Sequence, residues 1–590
     1  MKPHAIHYEV RMDAPQSHLF AVDCHIAEPD PQGQQLTLPA WLPGSYLVRD
    51  FARHIVKLSA SQGGQALAVR KLDKSRWQVE ALAGANSKQP LIISYQVYAY
   101  DLSVRTAYLD HTRAYFNGSS LFLQVEGQQE QPVSVTLHKP GKPYTHWQVA
   151  TTLPARKVDK QGYGLYSAEN YLSLIDFPVE IGELAIAEFK AMGVAHRLIV
   201  SGRHRADLKT ISRDLKRICE HHIRFFGEAP FQRYDFLLYA AADNQYGGLE
   251  HCDSTSLICP RSWLPVKGEQ HETSNYQDFL GLCSHEYFHA WHVKRIRPTI
   301  FGQPDLSRES YTRLLWVFEG FTAYYDTLAL VRCGLMSEQE YLAALDKDIT
   351  RYLRTPGRQI QPLEDSSFDT WIKLYKPDEN TPNSQISYYL KGSLVALAMD
   401  LSLRLKGKSL DMVMHALWQR YSNSGLLVEE DSIQALIAEV CGQKLATLFR
   451  DCVQGVGDPP LKTLLAKFGI ELSTPKPGEA DLVRQQLGLQ LAADDTRISH
   501  VFTGSAAEQA GLAAGDVIIA HDELKASAKS LKQLLKRQPG KIKLHYFRRD
   551  ELLSTTLQVR DHALEGSKLS IKQAASAKQQ QLRQHWLGAN

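Results

Sequence analysis

Between residues 204 and 227 the sequence changes its period, and that change limits the folds open to the chain more than any other feature. Leu208, Ile211, Leu215 and Ile218 recur with His222 at the spacing of one helix face, and Gly227 offers a stop. Upstream, roughly residues 1–185 read as short strand-like segments, such as His7-Tyr8-Glu9-Val10-Arg11 and Leu91-Ile92-Ile93-Ser94-Tyr95, separated by Gly, Pro, Asn and Asp turn signals. That pattern predicts a β-sandwich. Downstream, the apolar stretch Tyr234-Asp235-Phe236-Leu237-Leu238-Tyr239-Ala240-Ala241 has the length of one strand and leads into Tyr246-Gly247-Gly248-Leu249-Glu250-His251. Long helical patterns then cover 275–297, 309–333 and 336–355, with further helices to about 470. A chain of 590 residues is too long for a single core, so the expected class is multidomain α+β.

Pro459-Pro460 and Ser473-Thr474-Pro475-Lys476-Pro477-Gly478 have the composition of boundary segments. The expected division is a β-sandwich over 1–185, a catalytic region over 186–470 whose helical part begins near 336, a small module over 471–565, and a tail over 566–590. The tail is rich in Ala, Lys and Gln, which predicts a frayed or helical end without a core. A formal net charge of +3 from nearly balanced acids and bases gives no domain-wide basic excess, which argues against a nucleic-acid partner. Short clusters such as Lys294, Arg295 and Arg297 read as structural or solvated. No apolar run reaches bilayer-spanning length and the N-terminal residues lack a signal-peptide pattern, so the expectation is a cytoplasmic protein without a membrane partner. The eight cysteines are scattered without a CxxC pair and read as reduced thiols.

His285-Glu286-Tyr287-Phe288-His289 lies inside one of the helical patterns. Residues four apart stack on one helix face, so both imidazoles can approach one zinc ion from the same side. Glu286 is rotated away from that line, where its carboxylate can accept a proton from an attacking water without serving as a ligand. A catalytic zinc needs another protein ligand, and Glu319 offers a carboxylate within the apolar run Trp316-Val317-Phe318-Glu319-Gly320-Phe321. Burying it unpaired would be costly. Ligation removes that cost; the alternative is a salt bridge to Arg313 or another base. Asp326, one turn beyond Thr322, is in position to orient a ligand histidine.

HExxH followed by a helix carrying Glu319-Gly320-Phe321 resembles the gluzincin peptidases. Together with Gly247-Gly248-Leu249-Glu250-His251, it resembles the M61 glycyl aminopeptidase family. Similar stretches are Trp41-Leu42-Pro43-Gly44-Ser45-Tyr46-Leu47-Val48-Arg49-Asp50-Phe51, Ile175-Asp176-Phe177-Pro178-Val179-Glu180-Ile181-Gly182 and His292-Val293-Lys294-Arg295-Ile296-Arg297-Pro298, so the resemblance runs over nearly the whole chain. Glu319 follows His289 by 30 residues, a longer gap than in the aminopeptidase N family. The resemblance implies a thermolysin-like catalytic domain with one zinc ion per chain. It further implies that Gly247 and Gly248 form a strand edge beside the substrate and that Glu250 binds its free amine. His251 either contacts substrate or satisfies a neighbouring carboxylate. In Ser387-Tyr388-Tyr389-Leu390-Lys391-Gly392, similarity to a YxKG segment marks Tyr389 as donor to the oxyanion, with Tyr388 as the alternative.

Leu487-Gly488-Leu489, Val501 to Leu512 and Gly515-Asp516-Val517-Ile518 resemble a PDZ domain, which implies either capture of a peptide C-terminus or a packing role. The activity implied is that of a zinc aminopeptidase favouring peptides with a small first residue, glycine or alanine. The rival readings are a zinc endopeptidase or oligopeptidase, and a non-catalytic PDZ protein that binds peptides.

Overall fold

The computed structural model describes residues 4–588 apart from 84–87, 243, 271–272, 423, 476–477, 479–480, 494–495, 538–539 and 560–565. Part of the predicted boundary at Lys476 and Pro477 therefore lies outside the described residues. Two compact units emerge: Met1–Ser310 with Tyr325–Leu335 and Leu417–Val428, and Tyr311–Tyr324 with Met336–Ala416 and Glu429–Asn590.

In the first unit, strands Ile6–Ala14 and Leu19–Ile26 form an antiparallel hairpin near the middle of an eight-stranded sheet. Burial alternates along Leu19–Ile26, so Phe20, Val22, Cys24 and Ile26 all face inward, the two-residue period expected of a half-buried strand. Phe20 meets Phe116 of a four-stranded sheet edge-on, with ring centroids 5.5 Å apart. The buried hydroxyl of Tyr95 donates to the Leu121 carbonyl at 3.0 Å. The N-terminal region is thus β-rich.

Sheet membership changes between Gly182 and Ala185. A five-stranded sheet follows in the order Ala185–Ala191, Val194–Ser201, Arg233–Ala241, Ser254–Pro260, Gly247–Glu250. Val194–Ser201, Arg233–Ala241 and Ser254–Pro260 run parallel, and Gly247–Glu250 lies antiparallel at the edge. Helix Leu208–Phe226 makes the crossover between the first two parallel strands. Asp207 caps it by accepting from Lys209 N and Thr210 N, and Gly227 ends it at φ 90°.

Helix Thr273–Phe288 is held by an aromatic cluster. Tyr287 stacks on Phe236 at 5.7 Å, and Phe226 stacks on Trp291 at 4.9 Å. This helix stops at Phe288 and does not run to 297 as its apolar period predicts. After it the chain turns: Lys294 N reaches back to His289 O at 3.1 Å, Ile296 N bonds Trp291 O at 2.9 Å, and Val293 takes φ 108°. A β-branched residue at positive φ cannot continue a helix. The period persists in the sequence because Trp291, Val293 and Ile296 are buried in this turn as well.

In the second unit, the helix Leu315–Arg332 contributes its first ten residues, through Tyr324. Helices Glu338–Leu353 and Tyr388–Arg404 follow. Arg404 bridges Asp400 at 2.9 Å and Asp411 at 2.8 Å, so these buried charges compensate one another. Farther along, a four-stranded sheet runs Leu524–Lys525, Val517–His521, Lys541–Arg548, Glu551–Gln558, with strands Leu489–Leu491 and Ile498–Val501 paired separately. Its core includes Leu487, Leu489, Ile518, Leu531, Leu535, Ile542 and Leu557.

The last residues depart from the expectation of a coreless tail. Lys568–Ile571 pairs with Ile470–Ser473, and in helix Ala577–Leu587 the Trp586 ring is fully buried, donating from Nε1 to the Tyr324 hydroxyl at 2.9 Å. Few large apolar residues suffice because this one is so large. Among the described residues, no helix is long and apolar enough to cross a membrane.

Candidate active site

His285 and His289 sit at the end of the helix Thr273–Phe288, still linked by a bond from His289 N to His285 O at 3.2 Å. Each ring is fixed through Nδ1. That of His285 donates to Asp326 Oδ2 at 3.0 Å, and that of His289 donates to the His292 carbonyl at 2.8 Å. Both partners accept only, so each Nε2 is left as the lone-pair nitrogen. The two Nε2 atoms face each other at 3.1 Å. Two lone pairs at that separation repel unless a cation or proton lies between them, and the spacing fits two ligands of one tetrahedral zinc ion. The donor set therefore suits the metal.

Glu286 is buried, and its Oε2 has no hydrogen-bond partner. Burial, reinforced by the Glu250 charge and opposed by His285, His289 and Arg105, raises its pKa to about 7. A carboxyl tuned to neutrality is suited to take and return a proton. Donor atoms of Glu250, Glu286 and His289 all lie within 4.8 Å of one another. Gly248 explains how Glu286 comes so near the edge strand: a Cβ there would overlap the Glu286 carboxylate. On another side of the cluster, a Cβ on Gly44 would overlap the Glu250 carboxylate, and Gly44 has φ +88°.

His251, the residue left open between substrate contact and a neighbouring carboxylate, directs Nδ1 toward Asp176 Oδ1 at 3.4 Å. Lys294 Nζ donates to the same oxygen at 2.5 Å. Burial alone would raise the Asp176 pKa, but Lys294 and His251 hold it far below the usual carboxylate range. Arg295 donates to Cys252 O at 2.6 Å and to Asp253 at 3.0 Å.

Glu319 is 2% exposed. It lies seven residues, two helical turns, before Asp326 on the same face of the one helix Leu315–Arg332. Arg313, its alternative partner by sequence, is engaged with Asp365 and Glu364. The glycine after Glu319 has a packing role. A Cβ on Gly320 would stand 2.7 Å from the Gly392 Cα, so the helices Leu315–Arg332 and Tyr388–Arg404 cross backbone to backbone where both motifs lie. Of the two tyrosines, Tyr388 is fully buried and accepts from Thr370 at 3.2 Å, whereas Tyr389 is half-buried with its hydroxyl 3.1 Å from that of Tyr375.

Arg105 belongs to this site and carries no sequence signal of its own. It arrives from a loop 143 residues before Gly248 and donates from Nη2 to the Gly248 carbonyl at 2.8 Å. Asp176 and Gly44 were visible as parts of matching stretches, without a role.

The profile of the peptidase M61 N-terminal domain matches residues 7–183, and that of the M61 glycyl aminopeptidase matches residues 278–395. The crystal structure of an aminopeptidase N family protein from Idiomarina loihiensis is similar at 38% identity and a TM-score of 0.93, covering 99% of this chain and 100% of that one. This chain belongs to the M61 peptidase family. As a member of that family the protein is a zinc metallopeptidase. An M1 zinc metallopeptidase from Deinococcus radiodurans is a more distant likeness, with 14% identity, a TM-score of 0.48, and coverage of 78% of this chain and 95% of that one. No protein among the curated ones matches the chain.

Proposed function

We propose that the protein removes the first residue from peptides with a free amino terminus, with glycine or alanine preferred at that position. His285, His289 and Glu319 hold one zinc ion per chain, a group whose donor atoms suit a single metal. The chemistry zinc supplies there is Lewis-acid polarisation of water and of the scissile carbonyl. Glu286 takes the proton of the attacking water and returns it to the leaving amine. Glu250 binds the substrate ammonium, Gly247 and Gly248 let the substrate backbone lie close to the strand edge, and Tyr389 donates to the developing oxyanion. Residues 471–565 act as a PDZ module.

The observation that carries this reading is the placing of Glu250 beside Glu286, two buried carboxylates whose oxygens lie within 4.8 Å of each other. A peptide amine held by Glu250 brings its first carbonyl to Glu286 and no later one. Tyr389 is favoured over Tyr388 because its hydroxyl is not sealed in a core. The preference for a small first residue rests on the family resemblance.

Release of glycine from glycyl p-nitroanilide, compared with its N-acetylated form, tests the reading, with zinc-loaded Glu286→Gln as control. Turnover of the free-amine compound alone, lost in the variant, is the expected result. Equal cleavage of both compounds would make the protein an endopeptidase and take Glu250 out of amine recognition.

A further inference from the structure

Arg105 stands out as a cation without a counter-ion. Its guanidinium is half-buried and donates to the Gly248 carbonyl at 2.8 Å, its Nε is buried without a partner, and among the described residues it forms no ion pair. Its Nη1 lies 3.6 Å from where a Gly247 Cβ would stand, so it flanks the edge strand at Gly247 and Gly248. It is near enough for its charge to act on Glu286. Beyond it opens a cavity of about 510 Å³ lined in part by Arg105, Tyr108, Gln245 and Tyr246. A guanidinium beside a reaction centre, with donors left over, is suited to an anion that arrives with the substrate.

The strand itself gives a ruler. From Glu250 to Gly248 is two residues, about 7 Å along a strand, and an extended dipeptide spans about the same from amine to carboxylate. A substrate laid along this edge with its ammonium at Glu250 and its first carbonyl at Glu286 carries the carboxyl end of a dipeptide to the side where Arg105 stands.

We propose that Arg105 binds the terminal carboxylate of the substrate, and that dipeptides with a free carboxylate are the preferred substrate class. This rests on the aminopeptidase reading, and it adds a specificity-determining residue from the N-terminal β-rich region. A carboxylate on the second residue completes the charge pattern of the edge: anion at Glu250 for the ammonium, cation at Arg105 for the carboxylate. A longer peptide leaves the guanidinium facing a neutral amide, which recovers less of its pairing.

The test compares glycylglycine with glycylglycine amide in two readouts. The first is binding to zinc-loaded Glu286→Gln protein by calorimetry, and the second is kcat/KM of the wild type. The free acid should be favoured by about tenfold in both, and Arg105→Gln should bring the ratio to within about twofold, whatever its absolute rates. Arg105→Lys, which keeps the charge and loses the planar fork, should give an intermediate ratio and serves if the glutamine variant does not fold. Equal binding and hydrolysis of acid and amide would overturn the proposal and leave the aminopeptidase reading standing. A preference that persists in both Arg105 variants would also overturn it, because another group would then read the carboxylate. Carboxylate-dependent binding through Arg105 without hydrolysis of either peptide would uphold Arg105 as the anion site and sink the aminopeptidase reading instead.

Discussion

Asp326 accepts the Nδ1 proton of His285 at 3.0 Å, and so determines which nitrogen of that ring is left for a metal. Its other oxygen accepts from the Thr327 hydroxyl at 2.8 Å, which holds the carboxylate in place. Removing such an orienting partner typically costs 10- to 100-fold in metal affinity or activity. Asp326→Ala is therefore expected to weaken zinc binding by about that factor, with activity recovering as free zinc is raised. Competition against a chelator of known affinity measures it. Unchanged affinity would mean that helix position alone fixes the His285 ring.

A second expectation concerns acid stability. His196 is buried between the Val194 carbonyl, 3.0 Å from Nδ1, and the Tyr287 hydroxyl, 2.8 Å from Nε2, and burial lowers its pKa to about 4. Unfolded, the same ring titrates near 6.5. Between these values the unfolded chain binds a proton that the folded chain refuses, so stability falls as pH drops from about 6.5 toward 4, by about 3 kcal/mol when complete. Denaturant midpoints at pH 7 and pH 5 should differ less in His196→Gln than in the wild type. An identical pH slope in both proteins would assign the acid sensitivity to other groups.

The parts of the site legible in the sequence are those governed by local geometry. Four-residue spacing brings His285 and His289 to one point, and the turn from Thr322 to Asp326 marks a residue that does reach His285. Adjacent glycines at 247 and 248 announce a close approach, though not that Glu286 is what approaches. Contacts between distant segments leave no such trace. Arg105 and Asp176 come to the edge strand and to Lys294 through sheet topology, and neither has a spacing relation to the residue it serves. The stop at Phe288 was hidden for a different reason: apolar side chains at helical period fill the turn after it, and only the backbone at Val293 betrays the change.

Trp586 makes the C-terminal helix a structural element. The indole is fully buried, packs edge-on against Tyr341 at 5.8 Å and against Phe468 at 5.9 Å, and bonds Tyr324. Arg404 adds a bond to the His585 carbonyl at 2.6 Å. Trp586→Ala should cost about 3–5 kcal/mol, the usual range for emptying a buried aromatic site. Truncation after residue 575 should cost at least as much. Thermal unfolding of both variants checks this, and a melting temperature equal to that of the full chain would show the helix to be dispensable.

Gly247 and Gly248 are neighbours in sequence with unequal tolerance for a side chain. At Gly248 a methyl group would occupy the space of the Glu286 carboxylate, whereas at Gly247 the nearest atom is Arg105 Nη1 at 3.6 Å, ordinary contact distance. Gly248→Ala must displace Glu286, the proposed base, and general base catalysis contributes about 10²- to 10⁴-fold. Its kcat/KM should fall by about that much. Gly247→Ala adds a methyl with room to spare, so its loss should stay within about tenfold. The comparison controls for backbone effects, since both positions lie in the same four-residue strand and neither has a positive φ. Equal losses in the two variants would assign the effect to the edge strand and not to Glu286, and a Gly248→Ala protein with wild-type turnover would show that Glu286 has another rotamer from which it can act.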